Sequence, residues 1–338
     1  MPTRIVTVQS RHLDLISMCL VFSACLNAEL TRAAAPKITG GGEIDRFSVQ
    51  VRGEQRQLAT YGFAEFAAIQ KSEGPRYFVA VKGGVRVTRD TESNLHIDYR
   101  ETYFQFGTST IDLQIGRFEA INLFPLGKDT VVSRTGVSRY EANLVRGYPG
   151  SEGNQVALHA RLSDRLFFEL DTMFGDNPGF AADRSALSGI RPSVSYRNSD
   201  YVLTLGMEKV DYIGIWGNRN NKTGYALTST VDFERGDLNL SATVLRDRST
   251  FAVADAVTTY GVNWVTNNWG AGAGLIWSEE QVESRANPTE LTVYAAYSFP
   301  LTDSNRTQLT VAASYSRTRN YHIDSLLSLK LRLSYYVW

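Results

Sequence analysis

Hydrophobic and polar residues alternate with a period of two along almost the whole chain beyond its N-terminal region. Clear runs begin at Tyr201, Leu238, Leu291 and Leu327, and the last reads Leu-Ser-Leu-Lys-Leu-Arg-Leu-Ser-Tyr. Strict alternation over this length predicts β-strands with one apolar and one polar face. No segment has a convincing helical period, so the pattern predicts an all-β protein.

The connections between these runs alternate between short and long. The short ones lie at 163–164, 198–200, 235–237 and 267–268, and the long ones at 174–189, 211–222, 247–255, 279–290 and 317–324. Short turns on one side and long loops on the other are typical of outer-membrane barrels. The sequence therefore predicts a transmembrane antiparallel β-barrel, with the long loops outside the cell.

The number of strands is predicted as 14 to 16. Eleven alternating runs follow the long interruption at 117–152, and five precede it. The five earlier runs lie at 46–52, 59–70, 76–88, 94–107 and 110–116. The count falls to fourteen if the first hairpin is not part of the wall, and an even number is expected in either case.

Alternation also predicts which side chains face the lumen, because residues i and i+2 share a side. The predicted inward set is Gln155, His159, Arg161, Glu169, Asp171, Arg191, Arg197, Asp232, Glu234, Asn263, Tyr294, Lys330 and Arg332. These charges are of mixed sign. Rings of a single sign select ions, so a mixed lumen favours neutral polar cargo.

The interruption at 117–152 contains both apolar residues that require burial and charged residues that require water or partners. Long loops without secondary structure are usually functional or disordered, and this one is too apolar for a linker. We expect it to fold into the barrel as a constriction loop. For any single charged residue, the alternative is that it fixes the loop to the wall.

The candidate substrate-pathway residues come from this loop and from the inward faces of the strands that follow it. They are Arg117, Glu119, Phe124, Lys128, Asp129, Arg134, Arg139, Tyr140, Arg146, Tyr148, His159, Arg161, Glu169, Asp171, Arg191 and Arg197. A sugar offers hydroxyl groups all round and an apolar face on each ring. The charged members supply hydrogen-bond donors and acceptors, and the aromatic members supply flat surfaces.

The N-terminal residues 1–28 have the features of a secretory signal peptide, with basic residues before a short apolar run and small residues after it. Cleavage is expected between 25 and 35, and a lipoprotein site at Cys25 is the weaker alternative. Cys19 and Cys25 are the only cysteines, so the mature chain is predicted to have no thiol. The 35 basic residues equal the 35 acidic ones, which argues against a nucleic-acid partner.

Little in the sequence suggests catalysis or a cofactor. Outside the predicted signal, the histidines His96, His159 and His322 are scattered, and no nucleophile elbow or phosphate-binding loop is present. No metal or other cofactor is predicted, although external calcium at 176–179 remains an alternative. A barrel hydrolase with His159 as its base also remains open, because catalytic groups can meet in space without a motif.

The segment Ile115–Thr130, IGRFEAINLFPLGKDT, resembles carbohydrate-uptake porins of Gram-negative outer membranes, most closely the cyclodextrin porin family. The resemblance implies a monomeric 14-stranded barrel in the outer-membrane lipid that passes cyclic and linear oligosaccharides passively. It also implies that the mature N-terminal segment 29–42 can sit in the lumen, ahead of a barrel at 43–338. The alternatives are a general diffusion porin, the hydrolase and a purely structural or adhesive barrel.

Overall fold

The computed structural model describes most of the chain beyond the predicted signal peptide. The described residues are 35–51, 54–74, 76–89, 95–128, 135–147, 154–175, 187–213, 217–249, 252, 254–266, 270–283, 286–302 and 306–336. The signal peptide 1–28 lies outside them and stays a prediction, as does the calcium alternative at 176–179. No helix in these ranges is long and apolar enough to cross a membrane.

The described residues form seventeen β-segments and no helix. In chain order they are β1 Lys37–Val51, β2 Glu54–Glu73, β3 Phe78–Arg89, β4 Leu95–Tyr99, β5 Thr102–Gly107, β6 Ile111–Arg117, β7 Asn154–Arg161, β8 Leu166–Gly175, β9 Leu187–Arg197, β10 Tyr201–Ile213, β11 Arg219–Phe233, β12 Gly236–Asp247, β13 Ala256–Thr266, β14 Ala271–Gln281, β15 Thr289–Pro300, β16 Thr307–Arg319 and β17 Ser325–Tyr336.

These segments make one closed antiparallel barrel of sixteen strands. Each strand pairs with its neighbours in sequence, and β1 closes the ring by pairing with both β2 and β17. The segments β4 and β5 both pair with β3, so they are two halves of one wall strand interrupted at Arg100 and Glu101. Closure satisfies the backbone hydrogen bonds of every strand, which the interior of a membrane requires.

The upper strand count is thus correct, and the fourteen-stranded alternative is wrong. The first hairpin belongs to the wall, because residues 41–51 of β1 pair with residues 326–336 of β17. Residues 37–42, which the resemblance allowed to lie in the lumen, form the beginning of β1 and pair with β2. The run predicted at 46–52 is the second half of β1, and the first half was missed because Gly40, Gly41 and Gly42 carry no side chains that could alternate.

The two faces of the wall follow the predicted alternation. Rows of exposed apolar residues run around the outside, and Leu275, for example, lies opposite both Val262 and Val293. Polar residues of the opposite parity are buried inside, among them Thr204 of β10 and Asn263 of β13. An apolar outer band with a polar interior is the arrangement that lipid selects for a transmembrane barrel.

The two ends of the barrel differ. Gly41 lies opposite Tyr336, so β1 begins and β17 ends at the same end. The short connections, such as 162–165 and 198–200, lie at that end, which we call the turn end. Most of the longer connections lie at the other end, the loop end, where the two-residue β1–β2 connection is the exception. The segment between β6 and β7 also starts from the loop end.

Candidate functional site

The described parts of the segment between β6 and β7 lie inside the barrel. These parts, residues 118–128 and 135–147, form no strand, and we call them the inner loop. Leu123, Ala142 and Val145 are fully buried, and Tyr140 is 2 % exposed. These side chains cluster with inward-facing wall residues, namely Met173 of β8, Val210 of β10, Ala226 of β11 and Val257 of β13. The inner loop therefore packs against one side of the wall.

The buried carboxylate of Glu208 on β10 is the main acceptor for the inner loop. It accepts hydrogen bonds from the Tyr140 hydroxyl at 2.7 Å and from the backbone amides of Leu144 and Val145 at 3.1 Å each. Arg191 of β9, also fully buried, donates to it through Nε at 3.0 Å. Charge-assisted hydrogen bonds of this kind are about twice as strong as neutral ones.

Three further buried glutamates of the wall accept backbone amides of the inner loop. Glu169 of β8 accepts the amide of Ile121 at 3.0 Å, and Glu290 of β15 accepts that of Thr135 at 3.1 Å. The amide of Ser138 donates to Glu280 of β14. A loop without secondary structure has free amides, and leaving one unpaired in a buried place costs about 1–3 kcal/mol. Together with Glu208, these glutamates offset that cost at five described amides of the inner loop.

Wall side chains also donate hydrogen bonds to carbonyl groups of the inner loop. The donors lie on β9, β11, β12, β13 and β15. Arg191 donates to the Ile121 carbonyl, Thr228 to Leu123, Thr243 to Tyr140 at 2.6 Å, Asn263 to Pro125 at 2.7 Å and Tyr294 to Leu126 at 3.0 Å. The inner loop is thus bound through both its donors and its acceptors.

Glycines in the wall leave the space that the side chains of the inner loop occupy. A Cβ atom on Gly261 would lie 2.8 Å from the ring of Phe124, and one on Gly189 would lie 2.8 Å from Val145. In the same way Gly206 faces Leu123, Gly224 faces the Tyr140 hydroxyl and Gly272 faces Lys128. Because glycine has no side chain, the loop can approach the backbone of the wall closely at each of these positions.

Tyr140 lies at the centre of this packing. Its amide donates to Thr259 at 3.0 Å, and its carbonyl and hydroxyl are bound by Thr243 and Glu208. Burial, and then the neighbouring Glu208 carboxylate, raises the pKa of Tyr140 well above its ordinary value. The hydroxyl therefore keeps its proton and remains a hydrogen-bond donor.

Several candidate pathway residues are buried between the inner loop and the wall. Phe124 packs with Ile276 and Tyr294, and Asp171 accepts from Gln155 at 2.9 Å. Arg139 pairs with Glu141 at 2.6 Å, and its side chain is 3 % exposed. The others in this group are Lys128, Tyr140, Glu169 and Arg191. Tyr140, Glu169 and Arg191 bind across the contact between loop and wall, and the whole group is buried away from the open lumen.

Other candidate pathway residues remain accessible. Glu119 and Arg146 form an ion pair at 2.9 Å within the inner loop, with side chains 31 % and 21 % exposed. Arg161 and Arg197 are exposed near the turn end of the lumen. Arg117, the last residue of β6, is half-buried and shares the parity of the outward-facing residues of that strand. Asp129, Arg134 and Tyr148 lie outside the described residues.

His159 contacts side chains of the two neighbouring wall strands. Its Nδ1 lies 2.7 Å from Asp112 on β6, and its Nε2 lies 3.4 Å from Glu169 on β8. The ring stacks on Phe167 with the centroids 5.9 Å apart. The imidazole thus ties three neighbouring strands together on the inner face.

The opposite side of the lumen, on β2 to β5, carries charged residues that the candidate set missed. Arg86 pairs with Glu65 at 2.6 Å and lies 3.9 Å from the centre of the Phe63 ring. Arg100 binds the same Glu65 at 3.0 Å. Lys82 pairs with Glu101, and their side chains are 26 % and 36 % exposed. We call these residues the opposite wall.

The wall glutamates Glu208, Glu280 and Glu290 were also missed. Each has the inward parity of its strand, so the alternation that identified Glu169 could have identified them. What the pattern could not show is which inward carboxylates the loop would cover and which would stay open.

The fold and part of the sequence are similar to known proteins. Residues 83–328 match the family model described as porin-like glycoporin RafY. Among solved structures, a loop L8 deletion mutant of OmpT, an outer membrane protein of Vibrio cholerae, superposes with a TM-score of 0.63 at 10 % identity. The match covers 90 % of this chain and 100 % of that one.

Two further structures are similar in fold. Salmonella typhi OmpF, solved in complex with daunomycin, has a TM-score of 0.62 at 10 % identity and covers 90 % of this chain and 100 % of its own. The anion-selective porin from Comamonas acidovorans has a TM-score of 0.62 at 11 % identity, with 89 % and 100 % covered. At these identities the likeness shows the fold alone. No curated protein sequence matches the chain.

Replacing Glu208 by alanine is expected to free the inner loop. The change removes the acceptor of two backbone amides, the Tyr140 hydroxyl and Arg191, and breaking a buried charge pair costs about 3–5 kcal/mol. Single-channel conductance in planar bilayers should rise and become noisier. Tyr140→Phe is the control, because it removes one hydrogen bond and should have a smaller effect. Unchanged conductance in Glu208→Ala would contradict this role.

Replacing Gly224 by valine is expected to displace the inner loop by steric overlap. The new side chain would occupy the place of the Tyr140 hydroxyl, which cannot move without losing Glu208. We expect the loop to be cleaved faster by protease in the folded barrel. Gel electrophoresis of unheated samples measures this cleavage. Gly83→Ala is the matched control, since nothing lies within 4 Å of a Cβ atom there. Equal proteolysis of both variants would argue against the fit.

Proposed function

The chain belongs to the porin-like glycoporin RafY family, and we propose that it is an outer-membrane channel through which oligosaccharides diffuse passively. Family and fold indicate a channel rather than an enzyme, which disfavours the hydrolase alternative. We place the loop end outside the cell and the turn end in the periplasm, because bacterial barrels keep their short turns on the periplasmic side. Cyclodextrins and linear malto-oligosaccharides are the proposed cargo.

One observation carries the proposal: the inner loop covers one side of the lumen, and accessible charge pairs remain on the opposite wall and on the loop itself. The opposite wall presents Arg86 with Glu65 and Lys82 with Glu101, and the loop presents Arg146 with Glu119. These side chains are roughly a fifth to a third exposed, whereas the fastening residues Glu208 and Arg191 are fully buried. The accessible pairs can therefore meet cargo.

Paired charges suit a neutral polar cargo. Each pair offers donors and acceptors side by side, which is what the hydroxyl groups of a sugar require. The Phe63 ring, and Tyr103 at 6.2 Å from Phe118, provide aromatic surface close to these pairs. Conduction also requires weak binding, because cargo must leave as readily as it enters. Exposed pairs that keep their own partner satisfy that condition.

The proposal predicts that oligosaccharides block the ion current. Purified protein in planar bilayers should conduct ions, and micromolar to millimolar cyclodextrin or maltodextrin should reduce the current, whereas glycerol should not. Block by neither sugar would favour a general diffusion porin for small hydrophilic solutes. Absence of conductance would overturn the channel itself.

Replacing Arg86 by glutamine tests the opposite wall. Loss of one charge-assisted donor should raise the half-blocking sugar concentration by roughly three- to tenfold. Lys209→Gln is the control, because Lys209 lies on the outward face, where it pairs with Asp211. An equal effect of the two variants would mean that the opposite wall does not contact sugar.

We infer that the protein associates with further copies of itself through the outer face of β1 and β2. Arg46 is exposed there, between Thr60 and Leu331, and lines an outer groove of about 710 Å³ with Ala295 and Ala313. An arginine facing lipid near mid-depth costs about 2–4 kcal/mol, which a protein contact would offset. An OmpT structure from Vibrio cholerae with a similar fold is described as a trimer form.

Replacing Arg46 by leucine should weaken this association. Leucine removes the polar contact, so the oligomer should dissociate at lower detergent concentration, as measured by size-exclusion chromatography with light scattering. Leu205→Met, on the outer face of β10, is the control. A wild-type protein that is monomeric under all conditions, as the resemblance to cyclodextrin porins implies, would overturn the inference.

A further inference from the structure

A cavity of about 690 Å³ lies at the turn end of the lumen, beneath the inner loop. Ile121, Asn122 and Pro125 of the loop form one side, and strands β7 to β11 form the rest. The volume is within the range of about 300–1,000 Å³ that ligand sites occupy. A solute that has passed the inner loop would enter this cavity before leaving the barrel.

Three guanidinium groups line the cavity. Arg161 lies at the end of β7, Arg165 in the turn that follows, and Arg197 at the end of β9. All are exposed, and within the described part of the chain none has a hydrogen bond or ion pair through its side chain. Asp164 is the one carboxylate among the lining residues, so the cavity has a surplus of positive charge.

This arrangement differs from the lumen above it. There the arginines have carboxylate partners: Arg86 and Arg100 bind Glu65, Arg146 binds Glu119, and Arg332 binds Asp45. A carboxylate beside each of these arginines reduces the net charge that a passing solute meets, even where Arg86 and Arg100 share the single Glu65. Unpaired guanidinium groups, in contrast, are available to bind a carboxylate, sulfate or phosphate group in a bidentate manner.

The remaining lining groups fit the rest of a sugar. The hydroxyl groups of Ser195 and Thr204 lie 2.9 Å apart. Those of Thr228 and Thr230 donate to the Leu123 carbonyl and to Asn239, and their oxygens can still accept hydrogen bonds from a sugar. Phe167 contributes an aromatic surface. Hydroxyl groups and a flat apolar surface match the ring of a saccharide, and the guanidinium groups match an acidic substituent on it.

We propose that this cavity is a binding site for anionic saccharides, that is, sugars that carry a carboxylate, sulfate or phosphate group. The site rests on the proposed channel function and extends it to a second class of cargo. Its positive charge raises the local concentration of anionic sugar at the turn end, as charged clefts do for their ligands. Neutral sugars pass the cavity without this attraction.

The test compares trigalacturonate with maltotriose as blockers of the ion current in oriented single channels. In the wild type, trigalacturonate added at the turn end should block at about tenfold lower concentration than maltotriose. Raising the ionic strength should weaken this block, because the charges are exposed. In the triple variant R161Q/R165Q/R197Q the advantage of trigalacturonate should be lost, whereas block by maltotriose should persist.

Arg235→Gln is the matched control. Arg235 is exposed in the β11–β12 turn at the same end of the barrel and does not line the cavity. It should leave the preference for trigalacturonate unchanged, which separates the site from a general effect of charge at this end. An equal loss in Arg235→Gln and in the triple variant would overturn the proposal.

The two proposals can fail independently. If maltotriose blocks the wild type and trigalacturonate has no advantage, the anionic site is overturned while the oligosaccharide channel stands. If trigalacturonate blocks through the three arginines and maltotriose does not block at all, the site stands and the neutral cargo is overturned.

Discussion

The structure depends on hydrogen bonds between backbone amides of the inner loop and buried glutamates of the barrel wall. A segment without secondary structure inside a barrel has amides that no strand can accept, and each would cost free energy if left unpaired. Glu169, Glu208, Glu280 and Glu290 supply the acceptors. Burying a carboxylate without a partner is unfavourable. The backbone amides of the inner loop compensate for the burial of these four side chains by donating hydrogen bonds to them. Loop and wall therefore stabilise each other.

Shape supports the same arrangement. The wall strands that bind the loop carry glycines opposite its largest side chains, as at Gly224 beneath Tyr140 and Gly261 beneath Phe124. A glycine weakens a strand, because it contributes no packing of its own. In this barrel the loop supplies the packing instead. Hydrogen bonds and close packing thus fix the position of the loop together.

The division of charged residues follows from that position. Polar side chains that face the loop are buried and hold it by hydrogen bonds. Those that face the open lumen form exposed ion pairs, such as Arg86 with Glu65. The exposed pairs are accessible from the lumen, and the unpaired arginines lie beyond the loop at the turn end. The same residue types are therefore buried attachment points in one place and accessible side chains in another, according to what covers them.

The sequence by itself determined the barrel, the even number of strands and the inward parity of residues such as Glu169, Arg191 and Asn263, because alternation is a local property of each strand. It left the first strand uncertain, since β1 contains three consecutive glycines and its closing partner β17 lies at the far end of the chain. Only the tertiary structure decided which inward side chains hold the loop. Coverage of Glu208 by Tyr140, and exposure of Arg86 to the lumen, depend on contacts between residues distant in sequence, which no local pattern records.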